Sequence, residues 1–166
     1  MDLHTVFILG HIIGTALGLG GAVIAEVQVI TALRDGKVDE GERALMHANY
    51  FLIRVGLALI IISGLALVWW HLAQGNTWVT TSPKVWVKEI MTAMIIVNAV
   101  LLTKHWIPLA VGSAISMTSW LGATVLGTWR SVPYSFTEIF IGYIVATVLV
   151  GLFLHLVRGH FIPKKV

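Results

Sequence analysis

Apolar residues fall into five long stretches, at residues 3–30, 48–70, 85–107, 111–129 and 134–157, separated by short segments where charged residues, Gly, Pro, Thr and Trp collect. Each stretch is about as long as the roughly 20 residues an α-helix needs to cross a bilayer, and none alternates apolar and polar residues as a half-buried strand does. The pattern predicts an all-α polytopic membrane helix bundle of about five transmembrane helices. The longest connections, 34–46 and 72–84, are too short to fold separately, so residues 1–166 are read as one domain.

Composition agrees with this reading. Hydrophobic residues make up 57% of the chain and charged residues 11%, and a mean hydropathy of +0.88 excludes a water-soluble domain of this length. The cations sit beside the apolar stretches: Arg34, Lys37 and Arg43 after the first, Lys104 at the end of the third, and Arg158, Lys164 and Lys165 after the fifth. All three groups fall on one side, so the positive-inside rule places the N-terminus outside and the C-terminus in the cytoplasm, against the weaker vote of Lys84, Lys88 and Arg130. The sequence pI of about 9.5 arises from these cations and not from a nucleic-acid surface, because no basic run with interleaved aromatics stands outside the spans. The first span lacks a basic leader region, although Val23, Ile24 and Ala25 would pass as a cleavage site, and it is read as a retained helix. There are no cysteines, which removes disulfides, thiolate metal sites and c-type haem attachment.

Polar residues inside the apolar stretches carry the candidate chemistry. Gly10, Gly14 and Gly18 form two overlapping GxxxG steps, followed by Gly20 and Gly21. At 100° per residue His4, His11, Gly18, Ala22, Ala25 and Val29 share one sector, a flat face that suits either a neighbouring helix or a planar ring. Glu26 and Arg54 are expected to meet as an interhelical ion pair; a proton path through Glu26, Gln28 and Arg54 is the functional alternative. His47 lies on the Arg54 face of the second span and His71 above Gly64 on a different one. Lys88 is placed to snorkel outward, and Asn98 must hydrogen-bond within the bundle, as interhelical glue or as a pore-lining group. Gly112, Ser116, Ser119, Ala123 and Gly127 form a stripe assigned to packing. Gly151 precedes His155 by one turn. Trp69, Trp70, Trp78, Trp86, Trp129 and Tyr134 gather near one predicted boundary and Trp106 near the other, as an aromatic belt; Trp69 and Trp70 also suit a wall beside His71.

Axial imidazoles from facing helices, small residues and apolar walls together suit a b-type haem. His11, His71 and His4, with Gly14 and Gly18, are the expected cofactor-binding residues, with His11 and His71 on the iron; His71 lies nearer the boundary, and a single ligand would also serve. His47 and His155 form an expected second site, with His105 as an alternative partner. No EF-hand spacing occurs within 35–42, and there is no HExxH, no GxxxxGK[ST] and no evident nucleophile with a base and an acid.

His11, Ile12, Ile13 and Gly14, then Gly20 and Gly21, and later Trp86, Val87 and Lys88 leading into an apolar helix, resemble signatures of small haem-binding membrane proteins related to HemJ-type protoporphyrinogen oxidases. The similarity covers the first three spans. Over nearly its whole length the chain also resembles small bacterial inner-membrane proteins of unknown function. The resemblance implies His11 as a haem ligand, Lys88 as a polar residue near the site, and the bacterial inner membrane as location. Ala25, Glu26 and Val27 stand where that family has a basic residue and an aromatic cluster, and the fourth span is an addition, so protoporphyrinogen oxidation is not carried over. The expected function is electron transfer by a cytochrome-like protein, with a quinol or redox protein as partner. The alternatives are a small transporter or channel with Glu26, Arg54 and Asn98 in its interior, a homo-oligomer supplying any pore, and an accessory subunit of a larger membrane complex.

Overall fold

The computed structural model describes residues 1–35 and 37–161; Lys164 and Lys165, which entered the charge argument, lie outside them. Among the described residues six helices follow in order: α1 (Leu3–Asp35), α2 (Glu40–Ala73), α3 (Trp78–Thr81), α4 (Pro83–Thr103), α5 (Leu109–Thr128) and α6 (Phe136–Phe161). All but the one-turn α3 are long and apolar enough to cross a membrane. Side chains such as Ile62, Leu65, Phe153 and Leu156 are more than three-fifths exposed, a surface that only lipid tolerates at this density. The chain is therefore a five-span membrane bundle, as its apolar pattern predicts.

Local chemistry sets the helix ends, and it moves some of them. Expected to begin near residue 48, α2 begins instead at Glu40, because Asp39 and Glu42 form a capping box. The Glu42 N–H donates to Asp39 Oδ1 at 2.7 Å, and the Asp39 N–H donates to Glu42 Oε2 at 3.2 Å. Two otherwise orphaned donors are thereby satisfied. Asp39→Ala is expected to cost about 1 kcal/mol, read as faster amide exchange confined to the first two turns of α2. Pro83 occupies the first turn of α4, where a missing N–H costs nothing. Expected to run to residue 107, α4 stops at Thr103, and His105 takes up a left-handed φ of 57°, which ends the helix as an αL cap does. The Lys84 ammonium donates to the carbonyls of Trp129 and Arg130 at 2.9 and 3.2 Å, tying the start of α4 to the end of α5.

Packing divides the bundle into an α1–α2 hairpin and an α4–α5–α6 group, joined mainly where α1 lies on α5. Two apolar clusters mark the core. Val87, Met91, Leu126 and Tyr143 fill the α4–α5–α6 group near the membrane face that carries the N-terminus. Deeper, Trp120 with Ala22 and Ile95 forms the junction of the two halves, flanked by Leu19, Ile53, Leu57 and Ile60.

The glycine-rich face of α1 makes this junction close. A Cβ on Gly14 would lie 2.8 Å from the Gly56 carbonyl oxygen, and one on Gly56 would lie 2.7 Å from the Gly18 amide nitrogen. Such distances admit only glycine, so α1 and α2 touch backbone to backbone. A Cβ on Gly18 would overlap the Trp120 indole. The face does accept a planar ring, and the ring is Trp120 from α5.

Candidate functional site

Helix packing sorts the polar residues into three groups at different depths. Nearest the N-terminal face, the end of α2 returns beside the start of α1 and brings four rings together. His4 stacks on Trp70 with centroids 5.8 Å apart and meets His71 edge to face at 5.8 Å. His71 in turn lies 5.2 Å from Trp78. Asp2 caps α1 by accepting from the Thr5 N–H at 2.8 Å. That contact with Thr5, aided by nearby His4, holds the Asp2 carboxyl below the ordinary carboxylate range.

Two turns further along α1, or about 10 Å at 1.5 Å per residue, His11 faces α2 through Ser63 and Gly64. His11 Nδ1 lies 3.0 Å from Ser63 Oγ. The Ser63 hydroxyl has one proton, and the Leu59 carbonyl 2.5 Å away accepts it. Ser63 Oγ must therefore accept from His11, which fixes the proton on Nδ1 and leaves Nε2 with its lone pair. This is the arrangement in which a backbone-anchored partner prepares an imidazole to act as a base or a metal ligand. From α4, half-buried Lys88 is close enough to act electrostatically on the His11 ring. Its ammonium makes no hydrogen bond or ion pair among the described residues, and neighbouring Glu89, which acts on it electrostatically, is exposed. His11, Ser63 and Lys88 thus bring together, from three helices, an open imidazole nitrogen and a cation that makes no ion pair among the described residues.

No family model, curated protein or solved structure matches this chain. The site must be judged on its own geometry.

Toward the opposite face, the expected Glu26–Arg54 pair is replaced by another. Arg158 of α6 donates Nε to Glu26 Oε1 at 2.6 Å and Nη2 to Glu26 Oε2 at 2.7 Å, and Nη2 also reaches Ser113 Oγ at 2.8 Å. Glu26 is 7% exposed, so this fork-to-fork geometry compensates two charges held away from water. Arg54 is exposed and outside the pair, because the α1 face carrying Glu26 turns toward α5 and α6 rather than α2. Beside the pair lies a cavity of about 60 Å³ bounded in part by Glu26, Tyr50, Ser113 and Ser116, enough for a water or two.

The remaining polar residues are used in packing. Asn98 donates to the Gly112 carbonyl at 2.9 Å and joins α4 to α5. Asn49, unremarked in the sequence, donates to the Gly21 carbonyl at 2.9 Å and to Gln28 Oε1 at 3.3 Å. Glu26, Arg54 and Asn98 therefore do not line one common path. On the α5 stripe Gly112 packs on Leu102 and Ser119 bonds to Tyr143 at 2.8 Å, but Gly127 has nothing within 4 Å.

Among the expected ligands, His71 is brought to His4 and not to His11. His47 and His155 are both exposed, on helices with no extended interface, and His105 is exposed at the end of α4. Among the described residues no three His, Asp or Glu side chains converge as a metal site. Gly14 and Gly18 are occupied by Gly56 and Trp120. The sequence reading missed Ser63, Gly56, Trp120 and Arg158; Gly56 and Ser63, seven residues apart on α2, were the one available signal, a small-residue face matching that of α1.

Proposed function

We propose that this protein is a haem-b-binding electron-transfer protein of the bacterial inner membrane, with His11 as its axial ligand. The observation that carries the reading is the contact of His11 Nδ1 with Ser63 Oγ at 3.0 Å: with the Ser63 proton donated to the Leu59 carbonyl, Nδ1 is the donor and Nε2 keeps the lone pair that an iron would take. Lys88 supports it, since a half-buried ammonium that makes no ion pair among the described residues suits a carboxylate-bearing ligand. The glycine face is already filled and contributes nothing to binding, and His71 is too far along the helices to share an iron with His11, so the reading rests on a single protein ligand. When bound, haem would supply a one-electron couple. Ser63 would orient the ligand ring, Lys88 would hold the ligand's anionic edge, and the surrounding apolar side chains would exclude water. A membrane quinol or a redox protein is the corresponding electron source.

Absorption spectra of protein expressed with added haem test this. The expected result is a Soret band that shifts on dithionite reduction, is lost in His11→Ala, and persists in His4→Ala and His71→Ala. Ser63→Ala is expected to keep the band while weakening haem retention by roughly 10- to 100-fold. A colourless wild-type protein, or an unchanged band in His11→Ala, would overturn the assignment.

A further inference from the structure

The ring cluster at the N-terminal face is independent of the His11 site. His4 comes from the first turn of α1 and His71 from the last turn of α2, so two rigid helices set their relation. Among the described residues neither imidazole makes a hydrogen bond, unlike His11 with its Ser63 partner. Their centroids stand 5.8 Å apart. Two imidazoles bound to one ion at about 2.0 Å per metal–nitrogen bond place their centroids roughly 4.5–6.3 Å apart, depending on the angle at the ion, and the observed spacing falls within that range. Charge supports it: Asp2 sits within electrostatic reach of His4 and uses one carboxylate oxygen, Oδ1, on the Thr5 amide. The indoles of Trp70 and Trp78 flank the two rings and limit solvent on their outer sides.

We infer that His4 and His71 form a binding site for a single divalent transition-metal ion, with Asp2 supplying negative charge and solvent completing the shell. Imidazole nitrogens without thiolate select the copper and zinc end of the divalent series. On the orientation expected from the cation distribution, the site faces away from the cytoplasm. It goes beyond the haem reading proposed above, which rests on His11, Ser63 and Lys88, and uses none of those three residues.

The experiment is a titration of untagged, haem-free protein in detergent with Cu²⁺, followed by tryptophan fluorescence. Trp70 and Trp78 report on the site because a bound paramagnetic ion quenches indoles in contact with its ligands. The expected result is quenching that saturates at one equivalent, with affinity falling by roughly tenfold or more in His4→Ala and again in His71→Ala. His11→Ala, His105→Ala and His160→Ala should titrate like wild type. Electron paramagnetic resonance of the one-equivalent sample should show coupling to two imidazole nitrogens. Circular dichroism of each metal-free variant separates a lost ligand from a lost fold. Quenching that does not saturate, or that is unmoved by His4→Ala and His71→Ala in folded protein, would overturn the inference. Haem binding that fails while this titration succeeds would count against the His11 assignment alone.

Discussion

Arg158→Met is expected to destabilise the bundle by about 3–5 kcal/mol, because it leaves the Glu26 carboxylate buried with no counter-charge. Among the described residues, the bidentate contact at 2.6 and 2.7 Å is the only compensation that carboxylate has. Glu26→Gln on its own should be nearly as costly, stranding the guanidinium. Combining Arg158→Met with Glu26→Leu should recover most of the loss, since a well-packed apolar pair often matches a buried ion pair in net stability. Arg54→Met, at an exposed position, should stay within about 0.5 kcal/mol of wild type. Equilibrium unfolding in mixed micelles measures all four. A loss in Arg54→Met as large as that in Arg158→Met would refute the pairing described here.

Gly18→Ala should cost about 1–3 kcal/mol although it adds only one methyl group, because that methyl overlaps the Trp120 ring at the junction of the two halves. Trp120→Ala alone should cost about 3–5 kcal/mol through the cavity it opens. The two changes together should cost less than their sum, since the truncated side chain no longer meets the new methyl; a coupling of about 0.5–3 kcal/mol is expected for residues in such contact. Gly14→Ala should be destabilising with no relief from Trp120→Ala, because its obstacle is the Gly56 backbone. Gly20→Ala, with nothing within 4 Å, should be neutral or stabilising by up to about 1 kcal/mol. Additive effects of Gly18→Ala and Trp120→Ala would contradict the packing of this ring on that glycine.

The apolar stretches made the five spans legible because length and hydropathy alone decide whether a helix can lie in lipid. Helix ends were less so: the Asp39–Glu42 box lies in a polar segment that reads as a loop, yet it extends α2 by two turns. Periodicity identified the glycine face of α1 but could not say what would cover it. Gly18 meets an indole from a helix 102 positions further along the chain, and no local pattern encodes that meeting. Glu26 was rightly read as needing a cation, but its depth opposite the second span favoured Arg54. Arg158 looked like one of the juxtamembrane charges that orient the protein, and only the full length of α6 draws it back into the bundle. His11 was prominent from its position among glycines. Its proton placement was not, since that depends on Ser63 and on the Leu59 carbonyl that takes the Ser63 proton.

The ion pair also sets a schedule for making the protein. Glu26 enters the membrane with the first helix, whereas its partner lies 132 residues downstream, a delay of roughly 7–26 s at ribosomal rates of about 5–20 residues per second. Through that interval the first helix carries an acid at membrane depth without the guanidinium that answers it in the folded bundle. Arrival of α6 ends the wait. A chain that stops before this helix keeps an unanswered acid in its first, which marks it chemically as unfinished to any quality-control protease that recognises polar groups within the bilayer.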